Sequence, residues 1–315
     1  MQCDAEAAPT IASPIPIVEL ARFTNEFHLS AIDALRRSCG HKYVHGLIFL
    51  LLCRIGLDDW CEPSGFRPPG KVRRRASINQ LAASLTCPFE TMRRNVAQME
   101  AAGIIARTQE GVALATTPAA ATRVVAYLTV AHDVLIRLVE DIGSSESTAW
   151  MPAAVRRVPP HAVLQRALDI QLMPLDIDHQ FARDRSMLFL WCAITTANTR
   201  HIAYDKALSA RYAFQSTPDR LRRPVSLQLA AGAIGMPFSS ARRHAQTLEA
   251  LGLIERRTDG VVVLTSNLKR DDVDSVTVTN ARYMFRKLEE LVRLGLDPKK
   301  LEHAYLDKRP PLVAF

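Results

Sequence analysis

The chain contains no glycine-rich phosphate loop, no G-x-S-x-G nucleophile elbow and no HExxH zinc motif. Those absences remove the common routes to phosphoryl transfer, serine hydrolysis and zinc proteolysis. No other catalytic constellation appears, so the expectation is a non-enzyme without a cofactor. The sequence opens with Asp4, Glu6 and Pro9 and lacks a basic start followed by an apolar run, so a signal peptide is not expected. The longest apolar stretch, Leu47 to Cys53, is too short to span a bilayer and reads as a buried helix. Six cysteines (Cys3, Cys39, Cys53, Cys61, Cys87, Cys192) are scattered without paired spacing, which suits a reducing compartment better than a disulfide framework. A cytoplasmic protein with no membrane partner is the expectation.

What is present is ordinary for a globular protein: 48% hydrophobic and 23% charged residues in a chain of 315, about twice the usual domain size. The net charge of +8 favours a polyanionic partner. Residues 1–150 carry 15 Lys/Arg against 15 Asp/Glu, and residues 151–315 carry 25 against 17. The excess of positive charge lies in the second half.

One stretch is written twice. SINQLAASLTCPFETMRRNVAQMEAAGIIARTQEGV begins at Ser77, and SLQLAAGAIGMPFSSARRHAQTLEALGLIERRTDGV begins 149 residues later at Ser226. Identities fall without a gap at Ser77/Ser226, Pro88/Pro237, Phe89/Phe238, Arg93/Arg242, Arg94/Arg243, Glu100/Glu249, Gly103/Gly252, Ile105/Ile254, Arg107/Arg256 and Gly111/Gly260. Outside this stretch the two halves agree more loosely. Each opens with a proline-led apolar segment (from Pro16 and Pro160), continues into an apolar helix (about 41–57 and 181–197), and follows the repeat with another helical pattern (119–142 and 278–294). The Gly, Ser and Pro content of residues 143–160 reads as a linker, giving domains 1–150 and 151–315.

Within a copy, Ser77 is a good helix N-cap, and Leu81, Ala82 and Leu85 follow at helical spacing. Thr86-Cys87 forms a turn and Pro88 suits the first position of the next helix. Met92, Val96 and Met99 form that helix's buried face, and Gly103 ends it. Two short alternating segments around Gln109-Glu110-Gly111 then read as a β-hairpin. The predicted fold is mainly α with small β-hairpins, in two units: helix-turn-helix about 77–102 with hairpin 104–115, and helix-turn-helix about 226–251 with hairpin 253–265. The second copy has Ala230 and Gly232 where the first has Leu81 and Ala83, so its first helix either shifts by a residue or packs smaller side chains.

Helix, turn, helix and hairpin is the winged helix-turn-helix plan. The pattern LAxxL, turn, FxTxRR, then LExxGxI and a Gly-tipped hairpin resembles bacterial transcriptional regulators of the MarR, GntR and IclR kinds. The match covers about a quarter of the chain and carries no information on the target. The resemblance implies that the second helix of each unit enters the major groove of double-stranded DNA, its outward positions then being Glu90, Thr91, Arg93, Arg94, Asn95 and Gln98, and in the other copy Ser239, Ser240, Arg242, Arg243, His244 and Thr247. Arginine pairs with guanine and Asn or Gln with adenine; Ser and Thr suit phosphate. Basic runs precede each unit: Lys71, Arg73, Arg74 and Arg75, and then Arg220, Arg222 and Arg223. The hairpins add Arg107, and Arg256 with Arg257. Windows 71–107 and 211–257 each come to a net charge of +5, so the basic footprint is local in both halves.

Two recognition helices in one chain would act as a covalent pseudo-dimer; homodimerisation and a small-molecule effector are left open. Plasmid replication initiators, with one winged helix for dimerisation and one for DNA, are the nearest rival, and a winged-helix interaction scaffold is another. Cys39, His41 and His45 have spacing that a metal could use, but no fourth ligand follows and no metal is expected. Cys53 and Cys61 read as a packed residue and a conceivable sensory thiol. Asp271, Asp272 and Asp274 read as the start of a helix, and Trp60, Trp150 and Trp191 as packing residues.

Overall fold

Apolar residues at helical spacing, interrupted by glycine and proline, set most of the architecture. The computed structural model describes residues 15–40, 42–145, 147–148, 150, 157–176 and 185–315. It is mainly helical with three two-stranded antiparallel sheets among the described residues. In the first half, α1 (Ile17–Cys39), α2 (Tyr43–Ile55) and the short α3 (Leu57–Trp60) lead into a small hairpin of β1 (Cys61–Glu62) and β2 (Gly65–Phe66). Then come α4 (Ile78–Ser84), α5 (Phe89–Ala101), β3 (Ile105–Thr108), β4 (Gly111–Leu114) and the long α6 (Pro118–Gly143). The second half runs α7 (Pro160–Asp176), α8 (Arg185–Ala203), α9 (Lys206–Arg211), a 3-10 turn at Asp219–Leu221, α10 (Leu227–Ala233) and α11 (Phe238–Ala250). It ends with β5 (Glu255–Arg257), β6 (Gly260–Val262), α12 (Thr265–Leu268) and α13 (Asp271–Arg293). Cys3, His41, the side chain of Asp272 and much of the expected linker lie outside the described residues.

The two helix–turn–helix units have the same local causes. Ser77 accepts from the Gln80 amide at 3.1 Å while Gln80 Oε1 accepts from the Ser77 amide at 2.8 Å, closing a capping box. Ser226 accepts from the Leu229 amide at 3.2 Å, but Leu229 has no oxygen to return. Pro88 and Pro237 are N-cap residues, one place before the expected first helical position. The turns need a left-handed residue, and Thr86 (φ 49°) and Gly235 (φ 63°) supply it. Gly103 (φ 64°) and Gly252 (φ 66°) stop the second helices in the same way. Helices α4 and α10, and α5 and α11, coincide at the offset of 149. The second unit therefore does not shift to accommodate Ala230; it packs smaller side chains.

Three apolar cores result. The first gathers Leu81, Met92, Val96 and Met99 with α2 and with Leu164 and Leu168 of α7. The third gathers Ala230, Ala241, Ala245 and Leu248 with Leu190, Trp191 and Ile194 of α8 and Leu29 of α1. Between them, Leu20, Phe23 and Phe27 of α1 join faces of α6, α7 and α13. The middle core thus draws from both sides of residue 150. By length and composition α6 could cross a membrane; here it lies in the interior with Tyr127, His132, Asp133 and Arg137 all buried.

Helix α1 carries buried polar groups, four of them with partners far away in sequence. Glu19 accepts from Ser209 Oγ at 2.7 Å and Ser145 Oγ at 2.9 Å. Arg22 donates to the carbonyls of Tyr212 and Ser209 at 3.1 and 3.3 Å. Glu26 takes both arms of Arg200, at 2.6 and 2.8 Å, and Ser30 Oγ accepts from Arg137 at 2.7 Å. Residues 306–315 return over the same region. Arg137 donates to the carbonyls of Pro310 and Pro311, and Arg200 donates to that of Val313 at 2.6 Å and lies 4.3 Å from the Phe315 ring centre.

Breaking a buried pair leaves a charge without compensation. Glu26→Ala is therefore expected to cost about 3 kcal/mol, read as a lower urea midpoint with the slope retained; a cost near zero would mean that the pair is solvated. Burial pushes His28 down from its ordinary 6.5 to about 4. Between those values the unfolded chain binds a proton that the folded chain refuses, so stability is full above pH 6.5 and declines as the pH falls to about 4. The loss from this group is expected to be about 3 kcal/mol, and a His28→Gln variant should show a correspondingly flatter urea-midpoint profile across that window.

Candidate nucleic-acid interface

Helices α5 and α11 each bury one stripe and present the other. On α5, Glu90, Thr91, Arg93, Arg94 and Gln98 share one shallow surface depression with Ala97 and Ala101. Arg93 and Arg94, like Arg242 and Arg243 on α11, are exposed, with Ser239 and Thr247 exposed beside them and Ser240 half-buried. Asn95 and His244 do not face outward as expected. Asn95 is half-buried and donates to the Thr91 carbonyl at 2.8 Å, and His244 is only 6% exposed. Both stand three residues after a buried position (Met92 and Ala241), which returns them to the inward stripe of a 3.6-residue helix.

Phe89 and Phe238 were not among the expected surface residues. They occupy the first turn of the two presented helices and are 46% and 52% exposed. The Pro-Phe pair common to both copies was the available signal, and an apolar side chain there can pack against a thymine methyl group.

The basic segments are held beside the hairpins. Ala76 exchanges backbone hydrogen bonds with Val112 at 2.9 and 2.8 Å, and Val225 does so with Val261 at 3.1 and 2.8 Å. The chain passes so close that a Cβ on Gly111 would meet the Ala76 carbonyl oxygen at 2.8 Å, and one on Gly260 that of Val225 at 2.6 Å. In the first unit, Asp59 accepts from the Arg73 and Arg74 amides, both at 2.9 Å. In the second, the buried side chain of Asn198 does the same work. Its Nδ2 donates to the carbonyls of Arg223 (2.8 Å) and Val261 (3.1 Å), and its Oδ1 accepts from the Val263 amide at 2.9 Å.

Arg222 is a correction to the expected footprint. It is 5% exposed, donates from Nε to the Thr217 carbonyl at 3.2 Å and lies 3.6 Å from Asp219. Burial lowers its pKa to about 10. It anchors the segment from inside, while Arg220 and Arg223 on either side are exposed.

Carboxylates distinguish the two faces. In the first unit Arg93 pairs with Glu90 at 2.9 Å, Arg75 with Glu110 at 2.7 Å and Arg107 with Glu100 at 3.4 Å, while Arg74 lies 3.8 Å from Asp58. In the second, Arg256 and Arg257 pair with Glu249 and Glu255 at 2.8 and 2.7 Å. No described carboxylate is within ion-pair distance of Arg220, Arg223, Arg242 or Arg243. Gln98 accepts from Lys42 at 2.7 Å, and Arg94 is likewise without a described ion pair.

The other groups considered in the sequence take structural places. Cys39 and Cys53 are buried with raised thiol pKa values, Cys39 reaching about 12, and burial also pushes Cys61 to about 12. Among the described residues no group of three His, Cys, Asp or Glu side chains could hold a metal. Asp271 opens α13, but the N-cap is Arg270. Trp60 and Trp191 are core residues, and Trp150 packs on Phe285 with ring centres 5.7 Å apart.

Asn198→Leu keeps the size of the side chain and removes three hydrogen bonds. It is expected to cost about 2–4 kcal/mol by leaving buried backbone groups unpaired. Val263 amide exchange should accelerate by the matching factor, and unchanged protection would deny Asn198 its positioning role. Comparison with protein-family models, with curated proteins and with solved structures returns no match for this chain.

Proposed function

We propose that this chain is a tandem winged helix-turn-helix protein, arisen by internal duplication, that binds double-stranded DNA sequence-specifically and regulates transcription in a bacterial-type cell. The agreement of helix bounds, turn conformations and β-bridges at one constant offset supports the duplication. The reading rests on one observation above the rest. Each unit presents a helix with an exposed Arg-Arg pair at the same register, beside a basic segment bonded to the hairpin. A major groove admits such a helix, and the flanking cations suit phosphates.

With both units engaged, the target is an imperfect palindrome with half-sites about one helical turn, roughly 34 Å, apart. The half-sites differ because Glu90 and Ser239 occupy equivalent places. A second reading, the division of labour found in plasmid replication initiators, is favoured by Glu110 and Glu90, which neutralise Arg75 and Arg93 in the first unit with no equivalent pair described in the second. In that case α11 reads DNA and the first unit serves assembly.

The test uses a duplex selected from a random pool, with affinity followed by anisotropy over a salt series. Arg242→Glu with Arg243→Glu should weaken binding at least about a hundredfold and flatten the salt slope by about 0.9 for each phosphate no longer neutralised. Arg93→Glu with Arg94→Glu should act similarly under the palindrome reading and leave affinity unchanged under the divided one. Parental affinity in the Arg242/Arg243 double variant would end the DNA assignment.

A further inference from the structure

A partly enclosed cavity of about 300 Å³ lies where α1 turns into α2, against the α10–α11 turn. Ile32, Leu35, Leu47, Phe189 and Met236 give it an apolar wall. Arg36, Lys42 and Arg243 also line it, and no Asp or Glu does among the described residues. Two further lining groups, His28 and Gln171, are each 7% exposed, and the Nε2 atom of each lacks a hydrogen-bond partner among the described residues. Native interiors rarely leave such atoms unpaired unless a ligand, water or function accounts for them.

We propose that this cavity binds a small amphipathic anion, an apolar ring system or chain carrying one carboxylate or sulfonate, whose charged end is held by Arg243. The volume falls at the lower end of ligand pockets, and the combination of apolar walls with a few convergent polar groups is their usual composition. Among the three cations, Arg36 already pairs with Asp33 at 2.8 Å and Lys42 donates to Gln98 at 2.7 Å. Arg243 has no described ion pair and is the cation available to a ligand. The unpaired Nε2 groups of His28 and Gln171 provide hydrogen bonds deeper in the wall.

The cavity sits at the joint between the two presented helices. Lys42 reaches Gln98 on α5, while Ser240 and Arg243 belong to α11. Gly235 in the second turn approaches α1 so tightly that a Cβ there would lie 2.2 Å from Arg36 Cδ. An anion that engages Arg243 withdraws that side chain from a phosphate or base, so occupancy should lower duplex affinity. This coupling rests on the DNA reading above, whereas ligand binding does not.

The probe is 8-anilinonaphthalene-1-sulfonate, titrated by fluorescence into the full chain without DNA, with its uncharged counterpart N-phenyl-1-naphthylamine alongside. Saturable enhancement near one probe per chain is expected. Arg243→Ala, at an exposed position, should weaken the sulfonate about tenfold and leave the uncharged probe unaffected. Ile32→Trp should fill the space and abolish binding of both probes with far-UV dichroism retained. Failure of the parent to saturate, or equal sulfonate binding by the parent and Arg243→Ala, overturns the site. With the probe saturating, duplex affinity should fall several-fold, and an unchanged value overturns the coupling. If the parent binds no duplex at all, the DNA reading fails separately and the fluorescence results alone judge the cavity.

Discussion

The burial of most of α1, polar residues included, constrains the rest of the molecule. A helix in that position must bring partners to the charged groups it carries, because a buried carboxylate or guanidinium without one is costly. Glu19, Arg22, Glu26 and Ser30 find theirs on α8, on the segment around α9 and on α6. These partners lie on both sides of residue 150, at Arg137 and at Arg200 to Tyr212, so the pairing that satisfies α1 also ties the two halves of the chain together. The apolar side chains of the same helix reach the middle core through Phe23 and Phe27 and the third core through Leu29.

Within that frame the two units reach one backbone arrangement with different side chains. Leu81, Met92 and Val96 in one become Ala230, Ala241 and Ala245 in the other, all buried. The missing volume is made up from outside the unit, where Trp191 of α8 enters the third core and donates to the Leu253 carbonyl at 3.2 Å. Close packing permits such exchange when the total volume is kept. The exposed faces diverge as well, since Glu90 pairs with Arg93 on α5 while Arg242 and Arg243 on α11 have no described ion pair.

Local rules were readable from the sequence. The Ser77 cap, the glycines after α5 and α11, and the Met92, Val96 and Met99 stripe depend on neighbours within one or two turns, and they located the short helices and hairpins closely. Long-range partners were not readable. Arg222 stands in a basic run and looks exposed until Thr217 and Asp219 fold around it. Asn198 stands among other polar residues of α8 (Thr195, Thr196, Thr199 and Arg200), and nothing near it in sequence marks it as the clamp of a hairpin more than 60 positions away. Phe89 and Phe238 mislead for a related reason, because an apolar residue after proline is assumed to be packed inside when its environment is unknown.

The reach of α1 also bears on synthesis. Its partners Arg200, Ser209 and Tyr212 lie more than 170 residues downstream, so α1 leaves the ribosome long before these polar partners are made. At about 5–20 residues per second, Leu20, Phe23 and Phe27 wait at least about five seconds for the α6 residues they pack on. Helix α1, though made well before its partners, therefore completes its buried pairing only once α8 and α9 have been made.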